Sequence, residues 1–161
     1  MDVRDALKMI VGETVEATSA GDLLRGVARA MIAADRAVLA ELPLANGRRA
    51  DLVAIDRAGE VTVVEIKSCR ADFLADRKWP AYLEYCDRFY FAVGGGFPQD
   101  LLPAGEGLIL ADRFGGEIVR AARLRPLSAA RRKAMLLRFG RLAALRLQSL
   151  LDPPDWDPAF V

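Results

Sequence analysis

Residues 50–67 read ADLVAIDRAGEVTVVEIK, two runs rich in branched apolar side chains on either side of a short polar loop. The two runs, 50–56 and 61–67, have the composition and length of β-strands. The loop between them contains Gly59 and has the length of a hairpin connection. This stretch therefore predicts an antiparallel hairpin within a sheet, and the other elements are placed around it.

Polar side chains are predicted to meet at one end of this hairpin. Strand side chains alternate between two faces, so Glu65 and Lys67 share one face while Ile66 between them points into the core. In a hairpin of this loop length, Asp51 of the first strand lies opposite positions 65–67. Two carboxylates and an ammonium group are therefore expected at the rim of a buried sheet.

This group of side chains suits the metal-assisted hydrolysis of a phosphodiester. Mg²⁺ or Mn²⁺ prefers oxygen ligands and retains several waters, so Asp51, Glu65 and the backbone carbonyl of Ile66 suffice to hold one cation. Such a cation lowers the pKa of a bound water, and Lys67 is placed to orient that water and stabilise the transition state. The alternative is that Glu65 and Lys67 form exposed salt bridges at the wet end of a strand. Asp51 at the matching position favours the metal site.

The composition of the 161-residue, 17.6 kDa chain limits the chemistry available to it. With 53% hydrophobic residues, it is long enough for one domain spanning 1–161. It has no histidine, which excludes Ser-His-Asp triads and histidine metal sites. The two cysteines, Cys69 and Cys86, are typical of reduced thiols. No apolar run reaches the roughly 20 residues of a membrane span and no secretory pattern begins the chain, so a cytoplasmic protein is expected.

The remaining elements follow from helical spacing, β-like runs and turn residues. In chain order we predict a helix from Ser19 or Asp22 to about 37, a strand 38–44, the hairpin, a helical segment 70–86, a strand 88–93, short strands 108–111 and 117–121, and a helix from Ser128 to about 151. The order α-β-β-β-α-β, followed by a hairpin and a helix, indicates an α/β (α+β) protein with a mixed β-sheet flanked by helices. Pro80 either begins a second helix or kinks a single one. Residues 1–18 are predicted to be a loose arm and 152–161 an acidic, Pro-containing tail.

Basic residues are concentrated in one part of the chain, although the net charge is only +1. Residues 113–149 contain ten Arg or Lys against one acid, Glu117. On the last helix an apolar stripe is predicted to pack on the core, with arginines on the opposite face; the stripe is Leu136, Phe139, Ala143, Leu147 and Leu150, and the arginines are Arg131, Arg138 and Arg141. This arginine face binds DNA, an acidic partner or only water, and the three alternatives stay open.

The spacing of Asp51 and Glu65-Ile66-Lys67, with 13 residues between them, resembles the PD-(D/E)XK nuclease signature. Over residues from about 20 to 140, a longer series of motifs resembles the MmcB family of bacterial DNA repair proteins: Arg48-Arg49-Ala50-Asp51-Leu52-Val53, Glu65-Ile66-Lys67-Ser68, Ala71-Asp72-Phe73, Asp76-Arg77-Lys78-Trp79, Tyr82, Tyr85-Cys86-Asp87 and Tyr90-Phe91-Ala92-Val93. The resemblance implies a restriction-endonuclease-like core and an endonuclease acting in DNA repair. It makes Asp51 and Glu65 metal ligands and Lys67 the catalytic lysine. Ala50 stands where the signature has proline, a residue that shapes the backbone.

Further site residues are predicted near this centre. Glu41, placed before the sheet, is a candidate for an additional acidic ligand such as related nucleases sometimes supply. Candidates for contacts with DNA phosphates flank the strand pair: Arg48, Arg49, Lys78 and Tyr82. Each of these has the alternative of being a solvated or salt-bridged surface residue, and Pro80 prevents the assignment of Asp72, Asp76, Lys78 and Tyr82 to one helix face.

The expected partner is DNA, damaged or branched, together with other repair proteins or a second copy of the chain. Two alternatives keep the same fold. One is a DNA-binding or partner-recruiting module with a vestigial active site. The other is a structural protein whose basic helix docks an acidic partner.

Overall fold

A computed structural model describes residues 18–153 of the chain, so the predicted arm up to residue 17 and the tail from residue 154 lie outside the described residues. The elements are α1 (Ala20–Ala33), β1 (Ala37–Pro43), β2 (Arg49–Ile55), β3 (Val61–Lys67), α2 (Arg70–Ala75), a 3₁₀ segment (Trp79–Tyr85), β4 (Arg88–Val93), a 3₁₀ turn (Gln99–Leu101), β5 (Gly107–Ala111), β6 (Gly116–Arg120) and α3 (Ala129–Leu151). The predicted order of helices and strands is confirmed. The 3₁₀ turn was not predicted.

The six strands form a single mixed sheet in the order β1-β2-β3-β4-β5-β6. The β1–β2, β2–β3 and β5–β6 pairs are antiparallel, whereas β3–β4 and β4–β5 are parallel. The β3 strand is buried at all seven positions, as expected of a central strand covered on both faces. This architecture confirms the predicted α+β class and is consistent with a restriction-endonuclease-like core.

Two hydrophobic layers cover the sheet, one on each face. On one face α1 packs Leu23, Val27 and Met31 against the sheet. On the other, the 3₁₀ segment and α3 contribute residues such as Tyr82 and Met135. The segment 70–86 is therefore a short helix followed by a 3₁₀ segment, with Pro80 in the first turn of the second element. This is the first of the two predicted alternatives for Pro80, and it suits a residue whose nitrogen has no hydrogen to donate.

The register of the β2–β3 hairpin places Asp51 opposite Glu65. Ladder pairs run from Ile55 with Val61 to Leu52 with Val64. The loop is short because Asp56 pairs with Glu60, with backbone nitrogen to oxygen at 3.3 Å. Position 65 is the first of the three positions, 65–67, that were predicted to lie opposite Asp51, and this register brings the two carboxylates together.

The alternation of faces breaks at the end of β2 that carries Asp51. Ala50 and Leu52, two positions apart, should point to the same face of the sheet. Instead, Ala50 lies with Val53 in the core under α3, whereas Leu52 lies in the core under α1. A similar break occurs in β1 at Glu41, whose φ of 54° lies in the left-handed region. Glu41 therefore lies within β1, beside Asp51, and the prediction that it precedes the sheet is wrong.

The α3 helix begins as predicted at Ser128, whose hydroxyl accepts a hydrogen bond from the Arg131 amide. The predicted apolar stripe is only partly correct. Met135, Phe139 and Leu142 face the core, whereas other leucines on the helix are exposed, namely Leu136, Leu147 and Leu150. The helix is rotated relative to the prediction, and arginines on its inner side donate to backbone carbonyls: Arg146 to Ala40 of β1 and Arg132 to Gly59 of the β2–β3 loop. Among the helices of residues 18–153, none combines the length and hydropathy needed to cross a bilayer.

Gly26 allows α1 to lie directly on the β5–β6 turn. A Cβ atom at this position would lie 1.7 Å from the Asp112 carbonyl oxygen and 2.5 Å from that of Gly115. Replacement of Gly26 with alanine should therefore destabilise the protein by about 1–3 kcal/mol, because overpacking outweighs the higher helix propensity of alanine. Gly21 in the same helix provides the control.

At Gly21 an added methyl group would have open space around it, since the nearest atom, the Ser19 hydroxyl oxygen, would be 3.9 Å away. Gly21→Ala should leave stability unchanged or raise it by up to about 1 kcal/mol. Urea unfolding of both variants measures the difference. Equal free energies of unfolding for the two variants would contradict the close contact at Gly26.

Candidate functional site

The candidate site lies where the β2–β3 ladder ends. Beyond the Leu52–Val64 pair, side chains replace backbone groups as partners between the two strands. The Asp51 amide donates to Glu65 Oε1 at 3.2 Å, and the Ile66 amide donates to Asp51 Oδ2 at 2.8 Å. Each carboxylate is thus held by the opposite strand, and the structure brings Asp51 and Glu65 together.

Burial of this carboxylate pair makes two negative charges costly. Glu65 is only 3% exposed. Burial, together with repulsion from Asp51, raises its pKa to about 8. The pKa of Asp51 is also raised, chiefly by burial, although the Ile66 amide acts in the opposite direction. A bound cation would relieve this cost, since opposite charge favours the ionised form.

Lys67 extends to the same site from the last position of β3. Its side chain is 6% exposed, and its Nζ donates to Asp76 Oδ2 at 2.8 Å. Burial alone would lower the pKa of Lys67, but the bond to Asp76 and the surrounding carboxylates raise it. Lys67 is therefore a cation at the site, as predicted, but with Asp76 as its partner.

Asp76 is the residue of this site that had no predicted role. Burial would raise its pKa, but hydrogen bonds from the Lys67 ammonium and the Lys78 amide lower it. Asp76 lies nine positions after Lys67 and belongs to neither strand. The sequence indicated Asp76 only as part of the Asp76-Arg77-Lys78-Trp79 motif, and that motif did not show that its carboxylate would lie beside Lys67.

The donor set fits a hard cation that keeps most of its waters. Residues 18–153 contain no group of three or more His, Cys, Asp or Glu arranged around a common point. The candidate protein ligands are the oxygens of Asp51 and Glu65, with the Ile66 carbonyl as a predicted third. Mg²⁺ is commonly bound through one or two carboxylates with waters completing its shell, so this set is sufficient for it. Metal binding itself stays a prediction.

Glu41 is exposed at the edge of the site. Its carboxylate pairs with the Arg49 guanidinium at 3.3 Å, with the two side chains 55% and 63% exposed. In register, Glu41 lies between the Ala40–Leu52 and Leu42–Ala50 pairs and so beside Asp51. The structure thus places Glu41 next to the carboxylate pair, paired with an arginine, and its role as a further ligand stays a prediction.

Tyr82 lies beneath the site and is buried. Its hydroxyl donates to the Arg49 carbonyl at 3.1 Å, and the Arg48 guanidinium lies 6.0 Å from its ring centre. Burial and the nearby carboxylates raise its pKa to about 12. Tyr82 therefore supports the start of β2, while Arg48, Arg49 and Lys78 are the predicted phosphate contacts that have solvent access.

The predicted α3 arginines occupy three different settings. Arg131 donates to the Glu84 carbonyl and carboxylate, on the 3₁₀ segment. Arg138 donates to the Pro43 carbonyl at 3.2 Å. Arg141 is exposed and, with Arg138 and Pro43, lines a groove between α3 and the end of β1. Arg138 and Arg141 therefore border the β1–β2 hairpin, whereas Arg131 is committed to the 3₁₀ segment.

Comparison with known proteins identifies relatives of the chain. A solved structure, the SPO1766 protein of unknown function from Silicibacter pomeroyi, matches it with 44% sequence identity and a TM-score of 0.84. The match covers 89% of this chain and 99% of that one. No curated protein matches the chain.

A family model described as DNA repair protein MmcB-like matches residues 11–154, which contain the whole sheet and every residue of the candidate site. The match extends on both sides of the region in which the motif resemblance was found. The chain belongs to the family of MmcB-like DNA repair proteins.

Proposed function

We propose that the protein is a divalent-metal-dependent endonuclease that hydrolyses phosphodiester bonds in damaged or branched DNA. The observation that carries this proposal is the meeting of Asp51, Glu65 and Lys67 at the ends of β2 and β3, where one buried and one half-buried carboxylate lie near a buried ammonium group. Membership in a DNA repair family supports DNA as the substrate.

In this proposal the carboxylates bind a cation and the basic side chains stabilise negative charge on the phosphates. Asp51 and Glu65 would hold Mg²⁺ or Mn²⁺, which supplies an activated water and neutralises charge on the phosphate. The Lys67 ammonium would stabilise the negative charge that develops on the phosphate oxygens. The Arg48, Arg49 and Lys78 side chains would bind flanking phosphates without reading sequence.

Cleavage assays with supercoiled, branched and crosslinked DNA in Mn²⁺ or Mg²⁺ test this proposal. Asp51→Asn and Lys67→Ala should each reduce the cleavage rate by about 100-fold or more, because each removes a group that acts on charge in the transition state. Asp35→Asn is a matched control, since its carboxylate is exposed on the turn after α1. Cleavage that is metal-independent, or equally fast in Asp51→Asn, would refute the proposal.

The second candidate function is DNA binding without catalysis, with a vestigial site. The observation that favours it is the engagement of Lys67 by Asp76, since a paired ammonium is less accessible to substrate. Such a binder would show affinity that falls steeply with salt, with neither cleavage nor stabilisation by Mn²⁺. Stabilisation by Mn²⁺ that is lost in Glu65→Gln would favour the nuclease.

A further inference from the structure

Asp76 uses both carboxylate oxygens within the candidate site. Oδ2 accepts from the Lys67 ammonium at 2.8 Å, and Oδ1 accepts from the Lys78 amide at 2.9 Å. Because both oxygens have a partner, the orientation of the carboxylate is defined. The Lys67 side chain is thereby held in one direction.

The backbone around Asp76 is anchored to the sheet by aromatic residues on both sides. Phe73, three positions before it, packs edge-on against Phe91 with ring centres 5.6 Å apart. Trp79, three positions after it, stacks on Phe89 at the same separation. The Asp76 amide also donates to the Phe73 carbonyl, which closes α2. The position of the carboxylate is therefore set by core packing, although α2 itself has no fully buried residue.

Lys67 has other carboxylates nearby with which it does not pair. The positive charge of Lys67 acts to lower the pKa of both Asp51 and Glu65, so both carboxylates are within reach of its electrostatic field. Among residues 18–153, Asp76 nevertheless provides the one carboxylate that lies within 4.0 Å of Lys67 Nζ. Without Asp76, the buried ammonium group would need another acceptor, and the other carboxylates whose charge reaches it are Asp72, Glu65 and Asp51.

We propose that Asp76 is a positioning residue that holds the Lys67 ammonium away from the Asp51–Glu65 pair, which leaves those two carboxylates free to bind a cation. This inference rests on the proposed function for its catalytic consequence, because only a nuclease would need the Lys67 ammonium held in this position. Its consequence for metal binding does not require cleavage.

The first experiment measures Mn²⁺ binding by calorimetry in wild type, Asp76→Asn and Asp76→Asn/Lys67→Met. Asp76→Asn should weaken binding about tenfold, because the released ammonium then competes with the cation for the two carboxylates. Removing the competing ammonium in the double variant should restore it. Asp72→Asn is the matched control, because Asp72 acts on Asp51 and Lys67 through its charge alone. Equal weakening in Asp72→Asn, or no recovery in the double variant, would overturn the inference.

The second experiment follows the Lys67 ammonium and the rate of cleavage. The ¹⁵N signal of the Lys67 ammonium should be visible in wild type and in Asp72→Asn, and lost in Asp76→Asn, since protection from exchange depends on the Asp76 bond. Where wild type cleaves DNA, Asp76→Asn should lower kcat about 10- to 100-fold with KM little changed, and Asp76→Glu should restore part of it. A persistent ammonium signal, or full kcat, in a folded Asp76→Asn protein would overturn the inference.

The two proposals fail in different ways. If wild type does not cleave DNA but the Mn²⁺ and ammonium results are as expected, the proposed nuclease function is wrong and the positioning role of Asp76 is supported. If wild type cleaves and Asp76→Asn behaves like Asp72→Asn, the nuclease function is supported and the role of Asp76 is refuted. Thermal unfolding of each variant shows whether the protein is folded under assay conditions.

Discussion

Asp87→Ala should destabilise the protein by about 3–5 kcal/mol, because it removes a buried carboxylate that accepts four hydrogen bonds, two of them from a half-buried arginine. The Asp87 side chain is 2% exposed and accepts two hydrogen bonds from the Arg132 guanidinium, at 2.7 and 2.8 Å. It also accepts from the amides of Val61 and Leu127. The variant would leave the Val61 and Leu127 amides without their side-chain acceptor in the interior, whereas the Arg132 guanidinium would keep its bond to the Gly59 carbonyl.

The effect is expected to be large because Asp87 joins distant parts of the fold. Its side chain connects the start of β3 to the segment before α3 and to α3 itself, and its own amide donates to the Val61 carbonyl at 2.7 Å. Burial would raise the pKa of Asp87, but the bonds from Arg132, Leu127 and Val61 lower it. The ionised form is therefore the one that stabilises the fold, and its contribution should be lost only in acid.

Thermal and urea unfolding at neutral pH measure the effect of Asp87→Ala, with a fall in Tm of about 10 °C expected. Glu84→Ala is the matched control. It removes a carboxylate from another pair with α3, that of Glu84 and Arg131, whose side chains are 65% and 53% exposed. An exposed pair contributes less than about 1 kcal/mol. Similar losses in the two variants would contradict the role assigned to Asp87.

The metal-free protein should lose about 3 kcal/mol of stability between about pH 5.5 and pH 8.5, chiefly through Glu65. Burial and the proximity of Asp51 raise the pKa of Glu65 to about 8. Its pKa in the folded protein is therefore above that of the unfolded chain, and the folded state binds its proton more tightly. This contribution is complete below the unfolded pKa and is lost as pH rises through about 8.

Other shifted groups should contribute little in this pH range. The lowered pKa values of Asp76 and Asp87 change the free energy of unfolding only in acid. The raised pKa of Lys67 changes it only in alkali. Asp51 has a raised pKa and adds to the slope in the same direction. Glu65→Gln should therefore remove most of the pH dependence and leave a smaller residue due to Asp51.

Urea unfolding in the presence of a chelator, at several pH values, measures this slope in wild type and in Glu65→Gln. Glu84→Gln, an exposed carboxylate, should retain the wild-type slope. Added Mn²⁺ should stabilise wild type more at high pH than at low pH, because a cation must displace the Glu65 proton. A flat wild-type profile, or an unchanged slope in Glu65→Gln, would show that Glu65 is ionised at neutral pH without a cation.

Strand positions were predictable from the sequence because they depend on local patterns. The β3 strand was predicted as 61–67 and β4 as 88–93, and both ranges agree with the structure. The helix capped by Ser128 was also correct, since a serine before a helix supplies an acceptor for its first free amides. The predicted core-facing side of α3 was only partly correct. Helical spacing offers more than one apolar stripe on this helix, and it does not show which arginines donate to backbone carbonyls of neighbouring elements.

The candidate site was only partly predictable. Alternation along β3 placed Glu65 and Lys67 on one face, and the hairpin brought Asp51 opposite Glu65. Asp76 could not be placed, because its position depends on the turn between α2 and the 3₁₀ segment and on aromatic packing against β4. The predicted strand 38–44 already contained Glu41, so its placement before the sheet was inconsistent with that strand; its left-handed backbone leaves no pattern in the sequence.

The sequence by itself determined the order of the elements and the three chemical groups at the end of β3, because strand alternation and hairpin closure act over a few residues. Only the tertiary structure decided that Asp76 pairs with Lys67, that Asp87 joins β3 to α3, and that three leucines of the predicted α3 stripe face outward. Those contacts connect residues far apart in the chain or across irregular turns. Their geometry follows from the packing of whole elements, which no local pattern encodes.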